Sequence, residues 1–318
     1  MKPDVENFCT LFDQNYLPLG ITLHQSLMKH ASPFHLWILC MDQAVEQQLE
    51  KLALAHVTIV PLSSVETPEI LSIKPGRSQG EYCWTMTPSS IKMVFDRDAS
   101  VHRVTYLDAD LFFFDDPRIL ISELEKAQKQ VLITDHAYAP QYDQSADSGR
   151  FCVQFVTFSR QARSLALLDR WRSQCIEWCF NRSEPGRFGD QKYLDDWPEK
   201  FSETVHICQQ TNKTLAPWNV RFFANAASEL SPVFYHFHGL RLISPNLVRL
   251  YTKYKIGKKG KAIYDVYSQS LAKSFEQLRA ENIPIPYIPA DTNKAYRLLK
   301  YLKQIATRET RFITVGSL

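Results

Sequence analysis

The stretch Val104-Thr105-Tyr106-Leu107-Asp108-Ala109-Asp110-Leu111-Phe112-Phe113-Phe114 decides the fold. Its first apolar run is short, β-branched and aromatic, as in a buried strand. Two carboxylates spaced by one small residue follow, then a second apolar run. Where a strand ends, side chains two apart share a face, roughly 6–7 Å from one another. Asp108 and Asp110 can therefore converge on one divalent cation, directly or through water. Two carboxylates leave coordination positions that a diphosphate can fill. Ligands of open α/β sheets gather at the carboxyl ends of strands, which favours the metal reading over a chance pattern. A second Asp-x-Asp, Asp96-Arg97-Asp98, has no strand leading into it and reads as a solvated helix end.

Outward from that stretch, strands and helices alternate. Phe8–Phe12, His35–Met41 and Val57–Pro61 read as strands, with helices over Leu17–Lys29 and Val45–Ala55 between them. Ser63–Gly80 reads as a loop, and Pro88 as the first residue of a helix running to Arg97. Val101–Leu107 is the strand beneath the carboxylates. Pro117 opens a helix to Lys129, and Val131–Thr134 and Phe151–Ser159 are further strands around an irregular loop, Ala137–Arg150. Gln161–Phe180 and Gly189–Trp197 read as helices, and Val233–His238 as the last strand. This alternation predicts an α/β fold with a mostly parallel central sheet and crossover helices.

Composition is that of an ordinary globular chain: 318 residues, 45% hydrophobic and 22% charged. No apolar run approaches the ~18 residues of a transmembrane helix, and the first residues lack the pattern of a signal peptide. Seven cysteines are too few for a disulfide framework and fit a reducing cytosol. The net charge of +3 hides an asymmetry: residues 241–318 hold 15 Lys+Arg against 5 Asp+Glu. The expected division is a domain over 1–240 and a basic, mostly helical extension over 241–318. A basic segment on an acidic body is expected to meet an anionic surface.

Other constellations have competing readings. His236-Phe237-His238-Gly239 closes the predicted last strand; an imidazole beside two carboxylates favours manganese-like ions, whereas two hydrogen-bonded histidines at a sheet edge need no metal. Asp190 of Gly189-Asp190-Gln191 either caps a helix or, with Gln191, holds sugar hydroxyls. Cys175, Cys179, His206 and Cys208 match no zinc spacing. Tyr82, Trp84, Trp197 and Trp218 are candidates for stacking on a sugar or base, although most such residues are core anchors. Neither the dinucleotide glycine fingerprint nor a P-loop is present.

Taken in order, these pieces resemble the GT-A-fold glycosyltransferases, most closely glycosyltransferase family 8 and its bacterial relatives. The family's Asp-x-Asn-Tyr turn is matched by Asp13-Gln14-Asn15-Tyr16, the Ser-Leu pair of its first helix by Ser26-Leu27, and its Tyr-Leu-Asp-x-Asp by Tyr106–Asp110. Its Asp-Gln pair is matched by Asp190-Gln191 and its late His-x-x-Gly by His236–Gly239, a register that selects His236 with His238 second. The match covers about residues 7–240. It implies that Thr10, Asp13, Asn15 and Tyr16 hold the nucleotide, that Asp108, Asp110 and His236 bind the metal, with Asp108 also facing the donor, and that Asp190 and Gln191 face the donor sugar. Lys92, or alternatively Arg77, stands where a basic residue helps hold the donor. Arg241 stands in for a Lys that touches the diphosphate, and Cys152 falls where the family has an Asn near the sugar.

The resemblance implies a metal-dependent transfer of a sugar from a nucleotide-diphosphate sugar, a UDP-sugar by preference, with retention; the basic tail points to a glycan or lipid-linked acceptor of the lipopolysaccharide or envelope type. Mn2+ is the expected cation, with Mg2+ the alternative. A sugar nucleotidyltransferase would need a glycine-rich phosphate loop, and Thr10–Tyr16 contains no glycine; a nucleotide-sugar-binding module without turnover is the other alternative. In the tail, Lys253–Lys261 with Tyr251, Tyr254 and Tyr264, and a basic amphipathic helix over Lys294–Ala306, predict a peripheral protein on the cytoplasmic face of an anionic membrane. No recognition motif for nucleic acid accompanies the charge.

Overall fold

Three apolar strands joined by helices open the chain: β1 (Glu6–Phe12), β2 (Phe34–Cys40) and β3 (Val57–Pro61), linked by α1 (Leu17–His30) and α2 (Gln43–Leu52). There follow α3 (Pro68–Ile73), α4 (Gln79–Arg97), β4 (Arg103–Leu107), β5 (Leu111–Phe113), α5 (Arg118–Lys126), β6 (Val131–Asp135), α6 (Ser145–Ser148), β7 (Phe151–Ser159) and α7 (Ala162–Glu177). The remainder is α8 (Trp197–Lys200), β8 (Val205–Ile207), β9 (Thr214–Leu215), α9 (Val220–Ala226), β10 (Phe234–His236), β11 (Arg241–Ser244), β12 (Leu247–Thr252), α10 (Gly257–Ala280) and β13 (Thr310–Thr314). This is a computed structural model, and it describes residues 5–287, 307 and 309–314.

The central sheet has the order β3-β2-β1-β4-β7-β6-β8. Only β7 runs antiparallel to its neighbours, β4 and β6. Both faces are covered, which is why its strands read as unbroken apolar runs. On one face Cys9, Leu11 and Tyr106 pack with Met86 and Val94 of α4 and Leu168 and Trp171 of α7. On the other, Phe8, Phe12 and Ile38 pack with Leu23 and Leu27 of α1, Leu49 of α2 and Leu120 of α5.

A small sheet, β5-β10-β9, stands beyond the end of β4. A third sheet, β11-β12-β13, shares a core with α10: Leu250, Tyr251, Tyr264, Tyr267 and Phe275 are all buried. The α10 helix also lies on α1, where the Thr22 and Ser274 hydroxyls hydrogen-bond at 2.8 Å.

Three expectations need correction. The helix through Pro88 starts at Gln79, because Ser78 and Glu81 form a capping box that sets its N-terminus upstream, and Pro88 lies inside it. The expected loop over Ser63–Gly80 contains α3, capped by Thr67. Val233–His238 is not the last strand. Gly239, at φ +80°, reverses the chain into the short β11–β12 hairpin, whose strands are too brief to show a clear period. The helix expected over Lys294–Ala306 lies outside the described residues.

Candidate metal and nucleotide-sugar site

Two pairings assemble the site. Asp108 immediately follows β4, and its backbone N–H donates to the Gln154 carbonyl of β7 at 3.1 Å. In the small sheet His236 lies opposite Leu111, and the Phe237 N–H donates to the Asp110 carbonyl at 2.9 Å. Residues 126 positions apart are thereby brought side by side. His236 Nε2 is 3.1 Å from an Asp110 oxygen and 3.8 Å from one of Asp108. Among the described residues these three form the one group of His, Cys, Asp and Glu side chains close enough to share an ion.

The donor set fits a divalent cation. Two carboxylates and one imidazole are the hard-to-intermediate ligands that manganese or magnesium accepts. The imidazole is also oriented for it. His236 Nδ1 is 2.6 Å from Gln154 Oε1, an oxygen that only accepts, so Nδ1 carries a proton and Nε2 faces the carboxylates, the nitrogen that would ligate a cation once its own proton leaves.

Electrostatics carry the mark of crowded charge. Burial pushes Asp108 up to about 6, with the Asp110 carboxylate adding and His236 opposing. Burial also acts against ionisation of Asp110, yet His236, His238 and Arg241 together hold it below its ordinary value. Burial disfavours a charged His236, but Asp110, Cys152 and Asp108 raise it well above the usual imidazole range. A proton on that ring thus does the neutralising work a metal ion would do.

The expected nucleotide turn adjoins this cluster. Asp13 ends β1 and accepts from the backbone N–H groups of Asn15 and Tyr16, from the Asn15 amide and from Gln79. Burial raises its pKa. Arg241 donates to the Tyr16 hydroxyl at 2.9 Å and its charge reaches both Tyr16 and Asp110. A shallow cleft between Asn15, Tyr16, Arg241, Leu242 and Tyr287 opens beside it. The Thr10 hydroxyl, fully buried in β1, has no hydrogen-bond partner.

Asp190 is 2% exposed, and the Thr87 hydroxyl of α4 favours its charged form. Trp171 Nε1 fixes it by donating to its carbonyl at 2.8 Å, while one carboxylate oxygen lacks a partner. Burial, with Asp108 adding, pushes it up to about 7. It is not a helix cap, since the next helical turn starts at Lys192 and has no side-chain cap. Gln191 instead ties down the loop before β7, donating to the Ser148 carbonyl at 2.7 Å.

Other candidates go elsewhere. Lys92 pairs with Asp96 one turn along the outer side of α4, and Arg77 donates to the carbonyls of Ile176 and Cys179. His238 is solvent-exposed and outside the three-residue group. Of the four aromatics, Trp197 is core, packed on Trp171, Tyr82 bonds Glu66 and Trp84 lies under Gly189. Only Trp218 reaches the site, its ring edge-on to both His236 and His238. Sequence reading missed Gln154 and Thr87. For Gln154 a signal existed: a lone amide inside the otherwise apolar run of the strand that neighbours the carboxylates.

No protein-family model matches the chain. It is 30% identical over 286 residues to YfnD of Bacillus subtilis strain 168, itself uncharacterized, covering 86% of this chain and 91% of that one. It is also 30% identical over 260 residues to the uncharacterized YfnF of the same organism, covering 76% and 84%. Among solved structures, the galactosyltransferase LgtC in complex with donor and acceptor sugar analogues superposes with a TM-score of 0.55 at 12% identity, over 86% of this chain and 99% of that one. With so much of both sequences aligned the protein belongs to the family of YfnD, and the path of its chain is the GT-A fold of the glycosyltransferases.

Proposed function

We propose that the protein is a metal-dependent glycosyltransferase that moves a sugar from a UDP-sugar to a glycan or lipid-linked acceptor, with retention of configuration. The observation that carries this reading is the Asp108–Asp110–His236 cluster at the carboxyl end of β4, with the Arg241–Tyr16 pair beside it. LgtC, which shares the fold, is described with donor and acceptor sugar analogues bound.

In this reading Asp13, Asn15 and Tyr16 hold the nucleoside, with Thr10 beneath them. Asp108, Asp110 and His236 hold the cation, Mn2+ in preference to Mg2+. When bound, the cation offsets charge that grows on the departing diphosphate. Arg241 adds a fixed positive charge on the same side, pre-oriented by Tyr16, and so costs no reorganisation as that charge develops. Asp190, one of whose buried carboxylate oxygens lacks a partner, accepts from donor-sugar hydroxyls. Lys92, the expected basic donor contact, pairs with Asp96, and Arg77 with backbone carbonyls, so a donor would compete with those partners for either cation.

The test is incubation with UDP-sugars and Mn2+, assayed for free UDP and for pyrophosphate. UDP release marks a transferase or its slow hydrolysis; pyrophosphate would mark a nucleotidyltransferase; neither product would leave a binding module and sink the proposal.

A further inference from the structure

A second cleft, about 500 Å³, lies apart from the residues assigned to the donor. Arg221 of α9, Lys253 and Lys255 line it, together with Tyr142, Phe222 and Glu309. Its charge is unbalanced. Glu309 is the sole carboxylate of the lining, and it reaches Lys255 only at 3.9 Å. Among the described residues no carboxylate pairs with Arg221 or Lys253. Lys253 is held at φ +67°, a backbone region that a lysine seldom occupies. The turn it makes after β12 sets Lys253 and Lys255 on the cleft wall. Tyr142 accepts the Lys255 N–H at 2.9 Å, which leaves its phenolic proton to donate into the cleft.

The cleft adjoins the cation site through aromatic rings. Tyr142 and Tyr254 are 5.0 Å apart, Tyr254 and His238 6.5 Å, and His238 and Trp218 5.5 Å, with Trp218 against His236. A ligand in the cleft is therefore set off from the cation site by these rings and separate from the diphosphate of the donor.

We propose that this cleft binds a phosphate group carried by the acceptor. The inference rests on the glycosyltransferase reading above. A phosphate carries nearly two negative charges near neutral pH, which matches an excess of two cations. A guanidinium presents a planar fork to its oxygens, and the ammonium groups supply point charges. The half-exposed Phe222 and the Tyr142 ring give apolar faces for a sugar or polyol next to the phosphate.

The experiment uses the full chain saturated with UDP and Mg2+, so that the donor site is filled. Calorimetry follows binding of sn-glycerol 3-phosphate, and sedimentation follows vesicles of phosphatidylcholine with and without phosphatidic acid. We expect one of these phosphates to bind, and the double variant Lys253→Gln/Lys255→Gln to weaken it roughly tenfold or more, with UDP affinity and melting temperature unchanged. Glu309→Gln, which removes the opposing carboxylate, should tighten binding. Soluble phosphate binding identifies a free phosphorylated acceptor; vesicle binding that persists at high salt and is lost in the double variant identifies a lipid headgroup. If neither phosphate binds, or if the double variant binds as well as the wild type, the proposal is overturned while UDP binding leaves the donor reading standing. Conversely, a chain that binds the phosphate through Lys253 but not UDP retains this cleft and loses the donor reading.

Discussion

His236 sets the chemistry of single residues, because it touches both carboxylates and is held from behind by Gln154. Asp110→Ala should abolish UDP release and His236→Ala should sharply raise the Mn2+ needed, since each removes a coordination position next to the diphosphate. Changing Asp96 and Asp98, which lie at the exposed end of α4, should do little; wild-type turnover by Asp110→Ala at limiting Mn2+ would refute the metal assignment. Gln154→Leu removes the acceptor that fixes the imidazole tautomer. About 10–100-fold weaker Mn2+ binding is expected, measured directly by titration with paramagnetic resonance detection. Unchanged affinity would reduce Gln154 to a packing residue. Asp190 gives a pH prediction. Its folded pKa of about 7 lies above the unfolded value near 4, so the folded state holds the extra proton between these limits. Stability of the metal-free protein should therefore fall as pH rises from about 4 to about 7. Asp190→Asn should flatten that fall, so its stability relative to wild type should be greater at pH 8 than at pH 5 in thermal melts.

Elements matter here for where they end. β4 delivers Asp108 and Asp110 just past its last residue, Leu107, and the β5–β10 pairing returns the chain with His236 opposite Leu111. The seating of α1 on β1 depends on one close approach: a Cβ on Gly20 would lie 2.4 Å from the Phe12 ring. That ring is 3% exposed and packed in the core, so it has nowhere to swing. In an exposed helix Gly→Ala stabilises by about 1 kcal/mol. Here Gly20→Ala should instead destabilise, by about 1–3 kcal/mol from overpacking. Denaturant melts decide the sign, and because Asp13 directly follows Phe12, UDP affinity should fall as well.

At the scale of the whole molecule, a bound nucleotide should stabilise the fold. With Mn2+ present, saturating UDP should stabilise the fold by a few kcal/mol at about 100-fold excess over Kd and so raise the melting temperature, and GDP should do less. Uracil and thymine differ by a methyl group worth only about 1–3 kcal/mol, so TDP is the weaker exclusion; equal effects of UDP and GDP would count against the Asp13–Tyr16 assignment. No helix among the described residues is long and apolar enough to cross a membrane. The basic excess of residues 241–318 should draw the full chain to anionic liposomes at low salt and release it at high salt. Indifference at low salt would remove the membrane proposal. Part of the basic cluster is already engaged, since Lys259 donates to the carbonyls of Ala224 and Ala227 at the end of α9, and Tyr251 and Tyr264 are core rather than surface residues.

Sequence alone determined the alternating α/β layout, the strand under Asp108 and Asp110, and the polar turn after β1. These are local consequences of apolar period and of side chains that must sit at strand ends. It also singled out His236, through an ordered set of motifs rather than through any single one. Tertiary structure decided the rest. Whether His236 or His238 meets the carboxylates depends on the β5–β10 register, which no short window of sequence contains. The support of His236 by Gln154 depends on β7 lying antiparallel beside β4. Lys92 has the spacing of a donor contact, and only the packing of α4 shows its ammonium against Asp96 and Thr87 buried near Asp190. The basic cleft is less legible still, because Tyr142, Arg221, Lys253 and Glu309 come from four separate segments. Local patterns fix which face of an element is apolar; only the packing of distant elements fixes which polar side chains converge.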